Sequence, residues 1–227
     1  MNHFAQLMGY VPQAGDLIFR DLNGDGQITD DDKTYIGNPW PKFNYGINLT
    51  GGWKGFDITA FFAGVAGNQI YNAFQSIEHT FFSDYNTTAK LFETSGFNRN
   101  PTTGQPIVAG LPSNGVTDVP RVGTLSDLDK NGNWTAISSY HVQNGSYLRM
   151  RNLQIGYTIP RAALDRVRMA SLRVFVMGDN LFTITGYKGP NPDIAPQGAS
   201  VLQTGIDIAN KRYPVSRLLS LGINAEF

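Results

Sequence analysis

The chain has 227 residues, with 18 Lys and Arg balanced by 18 Asp and Glu, so composition offers no footprint for nucleic acid. It contains no cysteine, which excludes disulfides and thiolate metal sites. Charged residues make up only 16% and glycine is frequent at 25 residues, a balance suited to many strands joined by turns.

No apolar run approaches the ~18 residues of a transmembrane helix, which leaves membrane crossing by strands open. The start, Met1-Asn2-His3-Phe4-Ala5-Gln6, has neither a basic n-region nor an apolar h-region. A place in an outer membrane therefore requires a signal peptide upstream of this chain.

Residues 1–14 carry no readable pattern, and residues 16–20 read as a short strand. Residues 21–32 then follow the D-x-[DN]-x-[DN]-G start of an EF-hand calcium loop. Asp21, Asn23 and Asp25 stand at positions 1, 3 and 5, and Gly26 allows the sharp turn. The Gln27 carbonyl adds a ligand, Ile28 takes the usual apolar position, and Asp32 stands where a bidentate Glu is usual. The expected occupant is a structural Ca²⁺ held by Asp21, Asn23, Asp25, Gln27 and Asp32. The alternative is an Asx/Gly-rich turn with no metal.

Residues 36–43 contain Pro39 and Pro41, which keep the backbone extended and outside any ladder. From Phe43 the chain alternates: Phe43, Tyr45, Ile47, Leu49 and Trp53 fall on one face, with Asn44, Gly46, Asn48 and Thr50 on the other. Lys54-Gly55 forms a tight turn, and alternation resumes with Phe56, Ile58, Ala60 and Phe62 against Asp57 and Thr59. Each arm holds about 10 alternating residues, the length a tilted strand needs to cross a bilayer. Aromatic residues stand at both ends, where a membrane barrel places its girdles. A soluble β-sandwich also alternates, so the hairpin alone leaves both architectures open.

The second strand is expected to run on to about Asn72. Residues 73–145 form a long polar segment, and connections of that length are usually functional or disordered. Asp127-Leu128-Asp129-Lys130-Asn131-Gly132 reads there as a plain turn, since Lys130 brings positive charge and Ser138 takes position 12. The aromatics Phe74, Phe81, Phe82, Tyr85, Phe92, Phe97, Trp134 and Tyr140 are expected to anchor this loop to itself. A third strand covers 146–159, with Leu153, Ile155 and Tyr157 facing away from Asn152, Gln154 and Gly156. A short link, 160–171, holds one helical turn over 162–167 and a solvated set of arginines, Arg161, Arg166 and Arg168. Strand four, 172–183, has a polar face interrupted by Phe175 and Met177. Residues 186–212 form another long loop, and a last strand, 216–227, alternates Leu219, Leu221, Ile223, Ala225 and Phe227 with Ser220, Gly222 and Asn224.

Long links 20–42, 73–145 and 186–212 alternate with the short links 54–55 and 160–171. Up-and-down strands therefore put every long loop on one side, the asymmetry of an outer-membrane barrel. A Greek-key sandwich would scatter them. The expected fold class is all-β: antiparallel up-and-down transmembrane β-barrel strands, about five of them, forming a partial barrel with long extracellular loops. Residues 1–42 form an extracellular segment carrying the calcium loop, and residues 43–227 form the strands and loops. Tyr45, Ile47, Leu49, Ile58, Phe62, Ile155, Leu221 and Ile223 are expected to face lipid. Asn44, Asn48, Asp57, Asn152, Gln154 and Asn224 are expected to face the lumen.

The chain resembles the SusC/RagA family of TonB-dependent outer-membrane transporters of Bacteroidota. The resemblance rests on Asp21-Leu22-Asn23-Gly24-Asp25-Gly26, Ile36-Gly37-Asn38-Pro39, Pro41-Lys42-Phe43, Lys54-Gly55-Phe56-Asp57, and Gly64-Val65 with Gly67-Asn68. Tyr147-Leu148-Arg149, Arg151-Asn152-Leu153, Asn180-Leu181-Phe182-Thr183, Tyr187-Lys188-Gly189 and Tyr213-Pro214 with Arg217 continue it. A final strand ending on Phe227 completes it, in the place of that family's terminal aromatic. The resemblance covers only the last few strands of such a barrel and implies a C-terminal fragment of a larger transporter.

By that resemblance the chain is part of an importer of oligosaccharides or peptides in the outer membrane. A SusD-like surface lipoprotein would cap it, and TonB would act through an N-terminal part outside this chain. A soluble, calcium-stabilised β-module binding glycans at the cell surface is the alternative. An enzyme has little support: there is no HExxH, no GxSxG and no cysteine. His3, His79 and His141 are far apart and read as surface residues.

Overall fold

The structure is a computed structural model that describes residues 6–7, 9–12, 15–75, 119–120, 129–165, 169–194, 204–208 and 214–227. The expectations for His3, His79, Phe81, Phe82, Tyr85, Phe92, Phe97, Asp127, Leu128, Arg166, Arg168 and Tyr213 lie outside the described residues. The chain divides into two compact units, residues 1–37 with 72–142, and residues 38–71 with 143–227.

The second unit carries the main sheet. Its long strands are β3 (Phe43–Trp53), β4 (Phe56–Ala66), β7 (Tyr147–Thr158), β8 (Ser171–Asp179) and β11 (Leu218–Glu226). They lie in the spatial order β3-β4-β7-β8-β11, each antiparallel to the next. With lengths of 11, 11, 12, 9 and 9 residues, they match the ~9–11 residues of a tilted transmembrane strand. The five-stranded up-and-down arrangement expected from the alternation is the arrangement observed, and it stays open rather than closing on itself.

Local sequence explains where the strands stop. Lys54 and Gly55 both adopt positive φ, 48° and 88°, which suits the twist of a two-residue hairpin. Gly67, at φ 83°, ends β4, and the short strand β5 (Gln69–Asn72) follows as a separate element. The expectation of one continuous strand to Asn72 is corrected on that ground. β5 sits between β10 (Ile206–Asp207) and β6 (Val142–Asn144) in a small three-stranded sheet. A four-residue helix, α1 (Arg161–Leu164), fills the short link between β7 and β8.

Three further expectations change. Residues 16–20 form no strand; the backbone of Leu17 is instead taken up by side chains, its N–H by Asn133 at 2.8 Å and its carbonyl by Asn131 at 2.7 Å. The fourth strand stops at Asp179, because Asn180 turns to φ 52°; β9 (Thr183–Thr185) then pairs with the start of β7. A bulge at Arg151 shifts the β4–β7 register between Phe61 and Phe62, so Phe61 pairs with Asn152 and Phe62 with Met150. One extra residue reverses the alternation beyond it. It therefore brings Tyr147 and Arg149 onto the face of Asn152 and Gln154.

The first unit contains a two-stranded parallel ladder of β1 (Gln6–Leu7) and β2 (Gln27–Ile28), with Leu7 opposite Ile28.

Candidate functional site

The register sorts the main sheet into two chemically different faces. Tyr45, Ile47 and Leu49 oppose Gly64, Phe62 and Ala60; Ile58 opposes Ile155, which opposes Val176, which opposes Leu221. Val174 opposes Ile223 on the same face. Directly opposed residues point the same way, so all eight side chains expected to face lipid share one face. The six expected to face a lumen share the other. The apolar face is bare: Leu49 is 56% exposed, Leu221 72% and Ile223 64%.

Aromatic rings gather at the short-turn end. Phe56 and Tyr157 lie 4.5 Å apart between centroids, and the Lys54 ammonium stands 4.9 Å above the Trp53 ring. An exposed ring beside a cation suits the polar boundary of a bilayer.

On the polar face, Asp57 of β4 and Arg173 of β8 meet across the intervening β7, with contacts of 2.9 and 2.5 Å. They can meet because Gly156 lies beneath them; a Cβ there would stand 2.5 Å from Arg173 and 2.6 Å from Asp57. Turning the Gln154 amide over places its oxygen 2.6 and 3.0 Å from the two terminal nitrogens of Arg173. Phe175, an apolar residue on this face, lies across Gly222 of β11 and under the Arg173 guanidinium, 5.0 Å from its ring.

At the long-loop end, Arg149 and Arg151 share the carboxylate of Asp193, at 3.5 and 2.7 Å. Alternation gave no hint of this pairing, since it depends on the bulge and on a residue in the 186–212 loop.

The structure places the five expected calcium ligands in a closed loop. Asp21 accepts the N–H groups of Gly24 and Gly26 at 2.6 and 2.8 Å. Asn23 accepts from the Asp25 N–H and donates to the Asp25 carboxylate, both at 3.0 Å. Asp25 accepts the Gln27 N–H at 2.8 Å, and Asp32 accepts those of Leu22 and Thr29 at 2.8 Å. Those last two bonds, the Thr29 N–H first and then the Leu22 N–H, hold the Asp32 carboxyl below the usual carboxylate range. The donor set of carboxylates, an amide oxygen and a carbonyl suits a hard cation, and each carboxylate oxygen keeps lone-pair capacity. Among the described residues, no three His, Cys, Asp or Glu side chains are gathered around one point.

His141 is a correction: it is fully buried rather than on the surface. Its ring packs against Trp134 and Tyr140 at 6.0 and 5.1 Å, while its Nε2 lies 3.2 Å from the Asn133 carbonyl. Trp134 and Tyr140 do anchor this segment to itself, edge to face at 6.2 Å. Of the second Asp/Gly motif, the described half is a turn, closed by the Gly132 N–H on the Asp129 carbonyl at 2.8 Å.

Burial pushes the His141 pKa down, against the pull of the Asn133 carbonyl and the Asp129 charge. The folded state therefore prefers neutral imidazole, while an unfolded chain takes up a proton below about pH 6.5. The stability this confers is present above that pH and is lost as pH falls towards the lower folded value, by at most ~1.4 kcal/mol per pH unit. Protection of the amides of residues 129–141 against hydrogen exchange, measured relative to the intrinsic rate at each pH, should fall between pH 7.5 and 5. His141→Phe should remove most of that acid dependence; an unchanged dependence would assign it elsewhere.

Five antiparallel strands of membrane-crossing length, apolar on one face and polar on the other, define a β-barrel wall. Over nearly its whole length this chain is similar in sequence to proteins named TonB-dependent receptors, SusC among them. It is 31% identical over 225 residues to TonB-dependent receptor P3 of Formosa agariphila, covering 98% of this chain and 20% of that protein. It is 25% identical over 211 residues to TonB-dependent receptor SusC of Bacteroides thetaiotaomicron, covering 92% of this chain and 17% of that protein. The chain thus spans about a fifth of the length of these relatives. No family model matches it. The fold matches about a fifth of one chain of the RagAB peptide importer: the closed-closed state superposes with a TM-score of 0.63 over 91% of this chain and 20% of that one, at 22% identity. The open-open state gives 0.60 over 94% of this chain and 21% of that one.

Proposed function

We propose that the chain forms part of the wall and extracellular loops of an outer-membrane, TonB-dependent nutrient importer. The observation that carries this reading is the register, which sets the apolar residues of five consecutive strands on one continuous exposed face. A soluble glycan-binding module would leave that face in water, at a cost of about 25 cal/mol per Å². In the proposed setting the face meets outer-membrane lipid, and the face with Asp57, Arg173, Gln154 and Asn224 lines the lumen. Residues 1–42 and the long links lie outside the cell.

Transport itself belongs to the longer protein. The RagAB likeness and the SusC relative support an oligosaccharide or peptide as the solute and a SusD-like lipoprotein as the extracellular partner. TonB would act through a part outside this chain. Cell fractionation tests the reading: the full-length protein should appear in the outer membrane and require detergent for extraction. Recovery in the soluble fraction would end it.

Within the same reading, the loop 21–32 holds a structural Ca²⁺ through Asp21, Asn23, Asp25, the Gln27 carbonyl and Asp32. Its role is to fix the segment leading into Pro39 and the start of β3. Asp25→Ala should then lower the melting temperature in calcium and change it little in excess chelator. At calcium one hundred times above the dissociation constant, the stabilisation at stake is about 2.7 kcal/mol. An equal loss in calcium and in chelator would reduce the loop to a metal-free turn.

A further inference from the structure

Where β7 begins and β8 gives way to β9, a cavity of about 270 Å³ opens at the long-loop end of the sheet. Arg149 of β7, Asn180, Phe182 and Thr183 of the β8–β9 bend, Asn191, and Arg217 just before β11 contribute to its walls. Ligand pockets for drug-sized molecules span roughly 300–1,000 Å³, so this volume suits one sugar ring or one amino-acid residue of a longer solute.

Its electrostatics are one-sided. None of the described residues lining it is acidic, and two are arginines. Arg149 is only 3% exposed and its guanidinium is fixed, with Nε on the Thr183 hydroxyl at 2.8 Å and a terminal nitrogen on the Asn191 amide oxygen at 2.6 Å. Its counter-charge is incomplete, because Asp193 stands 3.5 Å away and sits closer, at 2.7 Å, to Arg151. Two guanidinium groups, Arg149 and Arg151, thus share one carboxylate, and Arg217 adds a further positive charge to the cavity wall. A buried charge without its own partner is costly, and an anion entering the cavity would relieve that cost. Among the described residues Arg217 has neither hydrogen bond nor ion pair, so its planar fork is available for a bidentate carboxylate. Phe182 and the neighbouring proline Pro214 supply apolar wall for a ring or an aliphatic stem.

We infer that this cavity is a subsite for a carboxylate group on the incoming solute, a proposal that rests on the importer reading above. The shared chemistry admits an acidic sugar unit or a peptide carboxylate. Arg149 provides fixed positive potential on the polar face, and Arg217 makes the contact.

The test uses the full-length transporter in detergent and four probes in calorimetry. Trigalacturonate and its methyl ester form one arm; a tetrapeptide as free acid and as C-terminal amide form the other. At least one acid should bind more tightly than its neutral form, and that arm names the source. Arg217→Gln should weaken the acid by roughly tenfold or more, as for loss of a hydrogen bond to a charged group, and leave the neutral form unchanged. Arg217→Lys should recover part of the loss. Val215→Glu, which adds a negative charge to the same wall, should also weaken the acid selectively. Equal affinity for acid and neutral forms, binding of neither, or equal weakening of both by Arg217→Gln would overturn the subsite. None of those results alters the detergent-dependent recovery that tests the importer reading.

Discussion

Leu49→Arg should lower the stability of the full-length protein in lipid by about 2–4 kcal/mol, while Asn48→Arg costs ~1 kcal/mol or less. The two positions are adjacent near the middle of β3 and differ only in face. Leu49 opposes Ala60 on the apolar side, and Asn48 opposes Phe61 on the other. At mid-depth an arginine facing hydrocarbon loses its hydration, whereas one facing a wet lumen keeps it. Ile223→Arg and Asn224→Arg repeat the comparison on β11, at the opposite edge of the sheet. Denaturant midpoints of the four variants in lipid give the readout. Equal losses at neighbouring positions would mean that the apolar face does not meet lipid.

Gly64→Ala should be nearly as damaging, although it adds a single methyl group. Tyr45 lies across Gly64 and donates from its hydroxyl to the Tyr147 carbonyl at 2.9 Å, linking β3 to β7 over β4. A Cβ at Gly64 would overlap that carbonyl oxygen and stand 2.7 Å from the Tyr45 ring. Backbone is involved, so a rotamer change cannot relieve the crowding. Overpacking of this kind costs about 1–3 kcal/mol, and displacement of the tyrosine adds ~0.5–1.5 kcal/mol for its hydrogen bond. Tyr45→Phe should cost only that smaller amount. Gly51→Ala, on the same face of the same hairpin, meets the Ile58 side chain at an ordinary 3.5 Å and should be nearly neutral. Yield of folded, heat-modifiable protein and its melting temperature rank the three variants. A Gly64→Ala protein as stable as Gly51→Ala would show that Tyr45 does not occupy this position.

Much of the main sheet is legible in the residues alone, because alternation is a local property. A strand that is apolar at Phe43, Tyr45, Ile47 and Leu49 and polar between them has one way to bury or solvate its two faces, whatever its neighbours are. The Lys54-Gly55 turn is equally local, since positive φ at two successive residues selects glycine at one of them. Residues 16–20 misled for a related reason. Two apolar residues beside Asp and Arg look like a strand, yet the partners that claim the Leu17 backbone, Asn131 and Asn133, lie more than a hundred residues further on.

The candidate sites were legible in uneven measure. The loop 21–32 carries the spacing of a calcium loop, and in the structure its carboxylates accept backbone N–H groups of the loop, with no three acidic side chains gathered around one point among the described residues. The arginine cluster was invisible, because Arg149 and Arg151 carry no sign of a shared partner in the 186–212 loop. Only the bulge at Arg151 and the fold of that loop let both reach Asp193. His141 looked like a solvated residue, and its burial follows from the rings of Trp134 and Tyr140 closing round it.

By itself the sequence determined that five strands alternate, which of their faces is apolar outside the Arg151 bulge, and the turn between β3 and β4. These follow from steric and hydrophobic periodicities that act over a few residues. Tertiary structure alone decided which charges meet: Asp57 finds Arg173, 116 residues away, because β4, β7 and β8 lie side by side and Gly156 leaves room between them. It also decided that Tyr45 ties three strands together over Gly64. Such contacts depend on strand order, register and the absence of a side chain at one crossing point. None of these is written in the residues that make the contact.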